Sequence, residues 1–270
     1  DTVFSIHRST DMLCDSRSVG ARAPVPRGRG GVSDVGPRVK PRPPSTVARR
    51  RGTEPWGVLM LRRPGGADFA PGANVFPGGS IHAGDRLLGD PLGGAAVREL
   101  FEEVGILLAR GARGFATEAD AERIRLRITH GVSFPTALKE SHLEPALDEL
   151  FYFSRWVTPE QLRRRFDTRF YLARLPEGQE VHPQPGEVEA WSWVTAAEAL
   201  GNADFTMVFA TRRVLEMVAV DSTANALLDR HRGRRRVPVT RPIFRITEGR
   251  FEVVTETLPA IPRARGRPAG

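Results

Sequence analysis

The sequence predicts a mixed α+β fold with one long, carboxylate-bearing helix and several short strands. Short apolar or alternating runs, such as 56–63 (WGVLMLRR) and 187–195 (EVEAWSWVT), are typical of strands. Between them, residues 91–104 place apolar side chains at helical spacing. The chain has 270 residues, of which 40% are apolar, which is enough for one large domain or two small ones.

In the first half of the chain, we predict strands at 56–63 and 73–79. A loop rich in proline and glycine follows the first strand at 64–72, and a loop of mixed character follows the second at 80–90. Asp90 then suits an N-cap, and Pro91 suits the first helical position. Gly105 suits the C-terminal stop of this helix. A second helical pattern covers 116–127.

In the second half, the pattern predicts one helix after residue 134 and then a strand at 150–157 (LFYFSRWV). Alternation predicts further strands at 164–175 and 187–195. Helices are predicted at 195–200 and at 206–220, the latter with a strong apolar face. The segment 237–258 is typical of a hairpin that turns at Glu248 and Gly249.

The positive charge lies mostly at one end of the chain. Residues 1–51 carry eleven Lys or Arg and four Asp or Glu, which accounts for +7 of the net charge of +8. We interpret residues 1–40, rich in Pro, Gly and Arg, as a disordered basic tail. We divide the rest into a main domain at 41–228 and an extension at 229–270. This extension contains a basic linker, whose run 230–236 (RHRGRRR) has no aromatic residues for base stacking, and the hairpin. Nucleic acid is therefore not an expected partner.

Two further observations bear on the compartment. Cys14 is the only cysteine, so the chain has no intramolecular disulfide framework, which fits a reducing compartment such as the cytoplasm. No stretch approaches the ~20 apolar residues of a membrane span, so a membrane partner is not expected.

The predicted helix at 91–104 concentrates charge on one face. Glu99, Glu102 and Glu103 are related as i, i+3 and i+4, with Arg98 beside them. Like charges at this spacing repel by roughly 0.2–0.5 kcal/mol per exposed pair. A bound cation would compensate for this repulsion, although an exposed helical face with an Arg–Glu pair is the ordinary alternative for such a run taken alone.

The stretch FPGG, followed by RELFEEVGI, resembles the signature of the Nudix hydrolases, G-x5-E-x7-R-E-U-x-E-E-x-G-U with U aliphatic. The second half matches at seven positions: Arg98, Glu99, Leu100, Glu102, Glu103, Gly105 and Ile106. The first half departs, because five residues after Gly79 stands Asp85, and twelve residues instead of seven then precede Arg98.

Another alignment keeps the strict spacing from Gly84 to Asp90. We favour the alignment with an insertion of five residues, because glycine at 78 and 79 permits positive φ where the strand turns, and because Asp90 already serves as an N-cap. A lengthened signature resembles the branch that includes peroxisomal coenzyme A diphosphatases and their bacterial relatives. This resemblance implies an α/β/α sandwich with a mixed central sheet, in which the carboxylate-bearing helix follows a glycine turn.

The resemblance also implies a site for Mg²⁺ or Mn²⁺, with Glu99, Glu102 and Glu103 as metal ligands. Arg98 would orient a glutamate, and Glu102 would lie nearest the attacking water. Many members of the family use a further acid, for which Glu187 is our candidate. Strand alternation would put Glu189 on the same side as Glu187, and two exposed strand glutamates are the open alternative.

For the substrate, Arg62 and Arg63 are candidate phosphate contacts, although arginines at a strand end are as often simply solvated. Gly78 and Gly79 would bring the backbone close to the substrate. The implied activity is hydrolysis of a nucleoside diphosphate derivative. Coenzyme A or acyl-coenzyme A, giving 3′,5′-ADP and 4′-phosphopantetheine or its acyl form, is the leading substrate. NADH, ADP-ribose and other dinucleotides or nucleotide sugars, or a catalytically weak binding protein, are the alternatives, and a homodimer is possible.

Overall fold

The computed structural model describes residues 45–49, 56–159, 165–221, 223–234, 236–247 and 250–259. The predicted basic tail, 1–40, lies outside these residues. The strands are β1 (Ser45–Arg49), β2 (Val58–Arg62), β3 (Asn74–Val75), β4 (Ala109–Gly111), β5 (Gly114–Phe115), β6 (Glu144–Pro145), β7 (Leu150–Val157), β8 (Asp167–Arg174), β9 (Ala190–Val194), β10 (Val239–Thr247) and β11 (Arg250–Leu258). The α-helices are α1 (Pro91–Val104), α2 (Glu118–Thr129), α3 (Phe134–Glu140), α4 (Ala196–Gly201), α5 (Phe209–Val218) and α6 (Ala224–His231).

A mixed eight-stranded sheet forms the centre of the fold. Its order is β11-β10-β7-β8-β1-β2-β3, and β9 pairs with β2 as well. The pairs β1–β8 and β10–β7 are parallel, and the other pairs are antiparallel. A small sheet, β5-β4-β6, lies apart from it. The mixed central sheet was predicted, and the hairpin β10–β11 continues this sheet through β7.

Helices cover the sheet on both faces, as strand β2 shows. Leu59 and Leu61 belong to a core shared with α1, α2 and α3, whereas Val58 and Met60 belong to a second core shared with α4, α5 and α6. All four side chains are at most 2% exposed. Successive residues of a strand point to opposite faces, so the apolar run of β2 is explained by burial on both sides. The arrangement agrees with the predicted α/β/α sandwich.

Helix α1 has the predicted bounds because both of its ends are fixed locally. The Asp90 carboxylate accepts a hydrogen bond from the Gly93 amide at 3.1 Å, and Pro91 opens the helix. At the other end, Gly105 adopts a left-handed conformation with φ of 74°, and its amide donates to the Phe101 carbonyl at 2.7 Å. The sequence prediction for this helix is confirmed.

Two segments differ from the sequence interpretation. Part of the predicted loop 80–90 forms a 3-10 helix, Ala83–Leu88, whose Leu88 packs into the core shared with α1. Helix α6 extends to His231, so the first two residues of the predicted basic linker belong to a helix, and His231 is buried. The predicted hairpin turn at 248–249 lies outside the described residues, although the strands on either side of it pair in register. Within the described part of the chain, no helix is both long and apolar enough to cross a membrane.

Candidate active site

Arg98 is the centre of the site, and it is almost completely buried. Its guanidinium donates to the Asp85 carboxylate at 2.7 and 3.2 Å, to Glu102 at 2.6 Å and to the Ser80 carbonyl at 2.6 Å. The Glu99 carboxylate lies 3.0 Å from Nη2. Burial disfavours the charged form of Arg98, but the Asp85 hydrogen bond and the surrounding carboxylates outweigh it and raise its pKa above the ordinary value.

Asp85 and Asp90, the aspartates matched to the signature glutamate in the two alignments, have different contacts in the structure. Asp85 is fully buried and forms the two-pronged contact with Arg98, whereas Asp90 caps α1. One oxygen of Asp85 also accepts from the His82 amide at 2.6 Å, which fixes the carboxylate within the 3-10 helix. The alignment with the five-residue insertion is therefore the one that the geometry supports.

Gly78 and Gly79 form the turn that brings the backbone close to the carboxylates. A Cβ atom at Gly79 would lie 2.0–2.3 Å from the carboxylate atoms of Glu99, so the backbone passes directly over that side chain. The neighbouring Gly78 has a positive φ of 157°, a conformation that L side chains rarely adopt. The glycine pair thus serves two purposes, because Gly78 adopts the predicted positive φ and Gly79 allows the close approach to Glu99.

Glu103 faces the same turn as Glu99. The Gly78 amide donates to Glu103 Oε2 at 2.8 Å. Burial raises the pKa of Glu103 to about 8, against the lowering effect of the Gly78 hydrogen bond, and repulsion from Glu99 and Glu187 adds to the rise. Burial likewise raises the pKa of Glu99 to about 7, although Arg98 opposes it.

Glu187 lies in a turn and not on the predicted strand. Strand β9 begins only at Ala190, so Glu187 lies in a turn, and the premise that Glu187 and Glu189 alternate along a strand is wrong. The preceding segment docks on the end of α1, where the Gln184 amide donates to the Glu103 carbonyl at 2.8 Å. Glu187 consequently acts electrostatically on Glu103, whereas Glu189 lies 4.0 Å from Arg62.

The two arginines at the end of β2 differ in their contacts. Arg62 pairs with Glu189, and both side chains are about half exposed, so this contact adds little stability. Arg63 donates from Nε to the Phe69 carbonyl at 2.9 Å and lowers the pKa of Glu103 electrostatically. Arg63 is thus the one placed toward the carboxylates, and phosphate binding by either arginine stays a prediction.

The acidic set suits a hard divalent cation in its chemistry, although it is not gathered around one point. Among the described residues, no three His, Cys, Asp or Glu side chains form a preformed metal cluster, because Glu99 and Glu102 both contact Arg98 while Glu103 contacts Gly78. Oxygen ligands are those that Mg²⁺ and Mn²⁺ prefer. Burial first, and then repulsion from neighbouring carboxylates, raises the pKa values of Glu99 and Glu103, and a bound cation would favour their ionised forms, so these residues fit Mg²⁺ or Mn²⁺.

Sequence reasoning missed a cavity beside this site. It has a volume of about 490 Å³, and its walls include Ile106, the loop 175–181 and two tryptophans of β9. Gln179 braces the loop, since its side chain exchanges hydrogen bonds with the Leu107 backbone and also donates to the Ala116 carbonyl. The available signal was Trp191, a large aromatic residue predicted in a strand, which is 40% exposed.

Comparisons with known proteins agree with this geometry. A model of the NUDT19 Nudix domain matches residues 93–211, which include most of α1 and the segment of Glu187. The putative nudix hydrolase 7 of Caenorhabditis elegans is 34% identical over 149 residues, which cover 54% of this chain and 49% of that protein. The human acyl-coenzyme A diphosphatase NUDT19 is 28% identical over 220 residues, covering 59% of each chain. The chain thus spans about half to three-fifths of the length of these curated relatives.

A solved structure gives the same answer for the fold. The NUDIX hydrolase from Alicyclobacillus acidocaldarius superposes with a TM-score of 0.62 at 25% sequence identity, covering 72% of this chain and 97% of that one. The signature residues on α1, the buried Asp85–Arg98 pair and these matches converge on one family. Residues 93–211 thus match the Nudix domain of NUDT19, and the fold is similar to that of a solved Nudix hydrolase.

Proposed function

We propose that this protein is a metal-dependent diphosphatase that hydrolyses coenzyme A or acyl-coenzyme A to 3′,5′-ADP and 4′-phosphopantetheine or its acyl form. The observation that carries the proposal is the charge excess on one face of α1. Glu99 and Glu102 contact the buried Arg98, Glu103 accepts from the Gly78 amide beside them, and burial raises the pKa of Glu99 and Glu103. A structural ion-pair network would need no such excess of acid.

Glu99, Glu102 and Glu103 would hold Mg²⁺ or Mn²⁺, which would neutralise charge on the diphosphate and make a water molecule more acidic. Arg98 fixes the orientation of Glu102 through the 2.6 Å hydrogen bond, so that this carboxylate can accept a proton from the attacking water. Glu187 adds a further carboxylate beside Glu103, and we assign it to the same catalytic set.

The substrate class rests on the relatives. Proteins named acyl-coenzyme A diphosphatase NUDT19 from human, Xenopus laevis and Gallus gallus match the chain at 26–29% identity. The lengthened segment between Gly79 and Arg98 supports the same branch. Arg63, directed toward the carboxylates, is our candidate for a phosphate contact.

The decisive experiment is a panel of coenzyme A, octanoyl-coenzyme A, NADH and ADP-ribose, assayed with Mg²⁺ or Mn²⁺ and with products identified by mass. We expect 3′,5′-ADP from the coenzyme A compounds and no turnover in excess EDTA. Glu102→Gln should reduce kcat by at least about 10²-fold if it accepts a proton. Glu122→Gln, an exposed glutamate on α2, is the matched control and should leave kcat unchanged.

Three outcomes would count against the proposal. Activity that persists in EDTA would contradict the metal requirement. Turnover of NADH or ADP-ribose alone would move the substrate to another dinucleotide. Nucleotide binding without turnover of any compound would favour a binding protein, although Asp85, which departs from the signature, still pairs with Arg98.

A further inference from the structure

We infer that the cavity beside the carboxylate face binds the uncharged acyl-pantetheine arm of the substrate, and that Trp191 and Trp193 form its floor. This inference rests on the proposed function and adds to it a binding site for one half of the substrate. The cavity, at about 490 Å³, falls within the range of ligand pockets, which is roughly 300–1,000 Å³.

Two chain segments lead from the end of α1, which carries the carboxylates, to the walls of the cavity. Ile106 in the cavity wall lies three residues beyond Glu103 on the chain that leaves α1. Val181, also in the wall, precedes His182, whose amide donates to the Val104 carbonyl at 2.8 Å. A diphosphate held at the carboxylates would therefore direct one of its substituents toward the cavity.

Two tryptophan rings form part of the cavity wall. Trp191 and Trp193 lie two residues apart on β9, opposite Leu61 and Leu59 of β2, so their rings share the face of the sheet that carries α1. Trp191 is 40% exposed, which leaves its ring available to a ligand. The other apolar walls are Ile106, Leu175, Pro176 and Val181.

The polar groups of the cavity argue against the nucleoside half. Gln179 uses both of its amide N–H bonds on the Leu107 and Ala116 carbonyls, so it has no donor left to recognise a base edge. Glu177 and Glu180 are exposed at the loop, and no lysine or arginine is among the described residues that line the cavity. These carboxylates would repel the 3′-phosphate of the nucleoside half, whereas the pantetheine arm carries no charge.

Binding and kinetics can test this in the full chain. Calorimetry should show that S-octanoyl-pantetheine binds and that 3′,5′-ADP does not compete with it. Trp191→Ala should weaken this binding about tenfold, which is the low end of what an aromatic contact surface contributes. It should also lower kcat/KM for octanoyl-coenzyme A by a similar factor through KM, with kcat preserved. Trp191→Phe, which keeps a ring, should recover most of both.

A control variant and a specificity test separate this role from a structural one. Leu126→Ala removes a side chain of α2 that is 56% exposed and should change neither measurement. Glu180→Gln should improve kcat/KM for succinyl-coenzyme A relative to butyryl-coenzyme A, because it removes a carboxylate that repels the acyl carboxylate.

The outcomes distinguish this inference from the proposed function. If coenzyme A is hydrolysed but Trp191→Ala leaves binding and KM unchanged, the cavity assignment is wrong and the function stands. If no coenzyme A compound is hydrolysed but the pantetheine arm still binds through Trp191, the proposed function fails and the binding site stands. Competition by 3′,5′-ADP would overturn the inference by assigning the cavity to the nucleoside half.

Discussion

Replacing Gly79 by alanine tests whether the close approach of the backbone to Glu99 positions the carboxylate. The added Cβ would lie 2.0 Å from Oε2, 2.2 Å from Cδ and 2.3 Å from Oε1. Since such contacts do not occur below 3.0 Å, the carboxylate must move by about 1 Å or the glycine turn must shift by as much. The carboxylate has little room to move, because Glu99 is 8% exposed and lies 3.0 Å from Arg98.

A displacement of this size has a large kinetic effect. Misplacement of a catalytic group by about 1 Å costs on the order of 10²-fold in rate, or about 2.7 kcal/mol. The cost in stability should be about 1–3 kcal/mol, as for other overpacked sites. We therefore expect Gly79→Ala to lower kcat for octanoyl-coenzyme A about 10²-fold at saturating Mn²⁺ while the protein still unfolds cooperatively.

The control for this change is Gly66→Ala, at a turn where an added Cβ has nothing within 4 Å. A double-mutant cycle sharpens the test, because Gly79→Ala should add little to Glu99→Gln if it acts through that carboxylate alone. Wild-type kcat in Gly79→Ala, or full additivity of the two changes, would refute the argument.

Three other predictions concern stability. Asp85→Asn should lower the free energy of unfolding by about 3–5 kcal/mol, because it leaves a buried arginine charge without its main partner, whereas Asp90→Asn retains a capping side chain and should cost under about 0.5 kcal/mol in denaturant titrations. The pKa values of Glu99 and Glu103, raised to about 7 and about 8, mean that the metal-free fold resists their ionisation. The contribution of these two carboxyls to stability should be largest below about pH 4.5, the pKa of glutamate in the unfolded chain, and should be lost as pH rises through 7–8. Glu103→Gln should flatten this loss, and Mn²⁺ should raise Tm more at pH 8 than at pH 5. The pKa of His231 is lowered to about 4 by burial and by nearby arginines. Its contribution to stability is therefore present above about pH 6.5 and lost as pH falls through 4. If His231→Gln folds and its free energy of unfolding falls with acid as steeply as in the wild type, this prediction is wrong.

Local chemistry explains why α1 could be predicted residue by residue. Asp90, Pro91 and Gly105 each act on the backbone within one turn of their own position, so the local sequence indicates where the helix begins and ends. The face of the helix follows from its 3.6-residue period, which by itself puts Glu99 and Glu103 on the same side. The apolar run of β2 was similarly informative, because burial on both faces leaves a continuous apolar stretch.

The position of Glu187 could not be predicted from its neighbours. The segment EVEAW alternates as a strand does, but the hydrogen bonds from His182 and Gln184 to the end of α1 hold the chain before Ala190 outside the sheet. Those bonds join backbone atoms about 80 residues apart in sequence and depend on no side-chain pattern. Glu187 acts electrostatically on Glu103 without lying on a strand, and its place in the catalytic set stays a prediction.

The insertion before α1 explains how an aspartate can serve where the signature has a glutamate. Asp85 is one methylene shorter, so its backbone must come closer to Arg98 than a glutamate backbone would. The 3-10 helix Ala83–Leu88 achieves this by lying directly against α1 at Gly94, where a Cβ would be only 2.8 Å from the Asp85 carbonyl oxygen. The lengthened segment and Gly94 therefore compensate together for the short side chain. The Arg98 contact survives the change of residue because the backbone, and not the side chain, supplies the missing length.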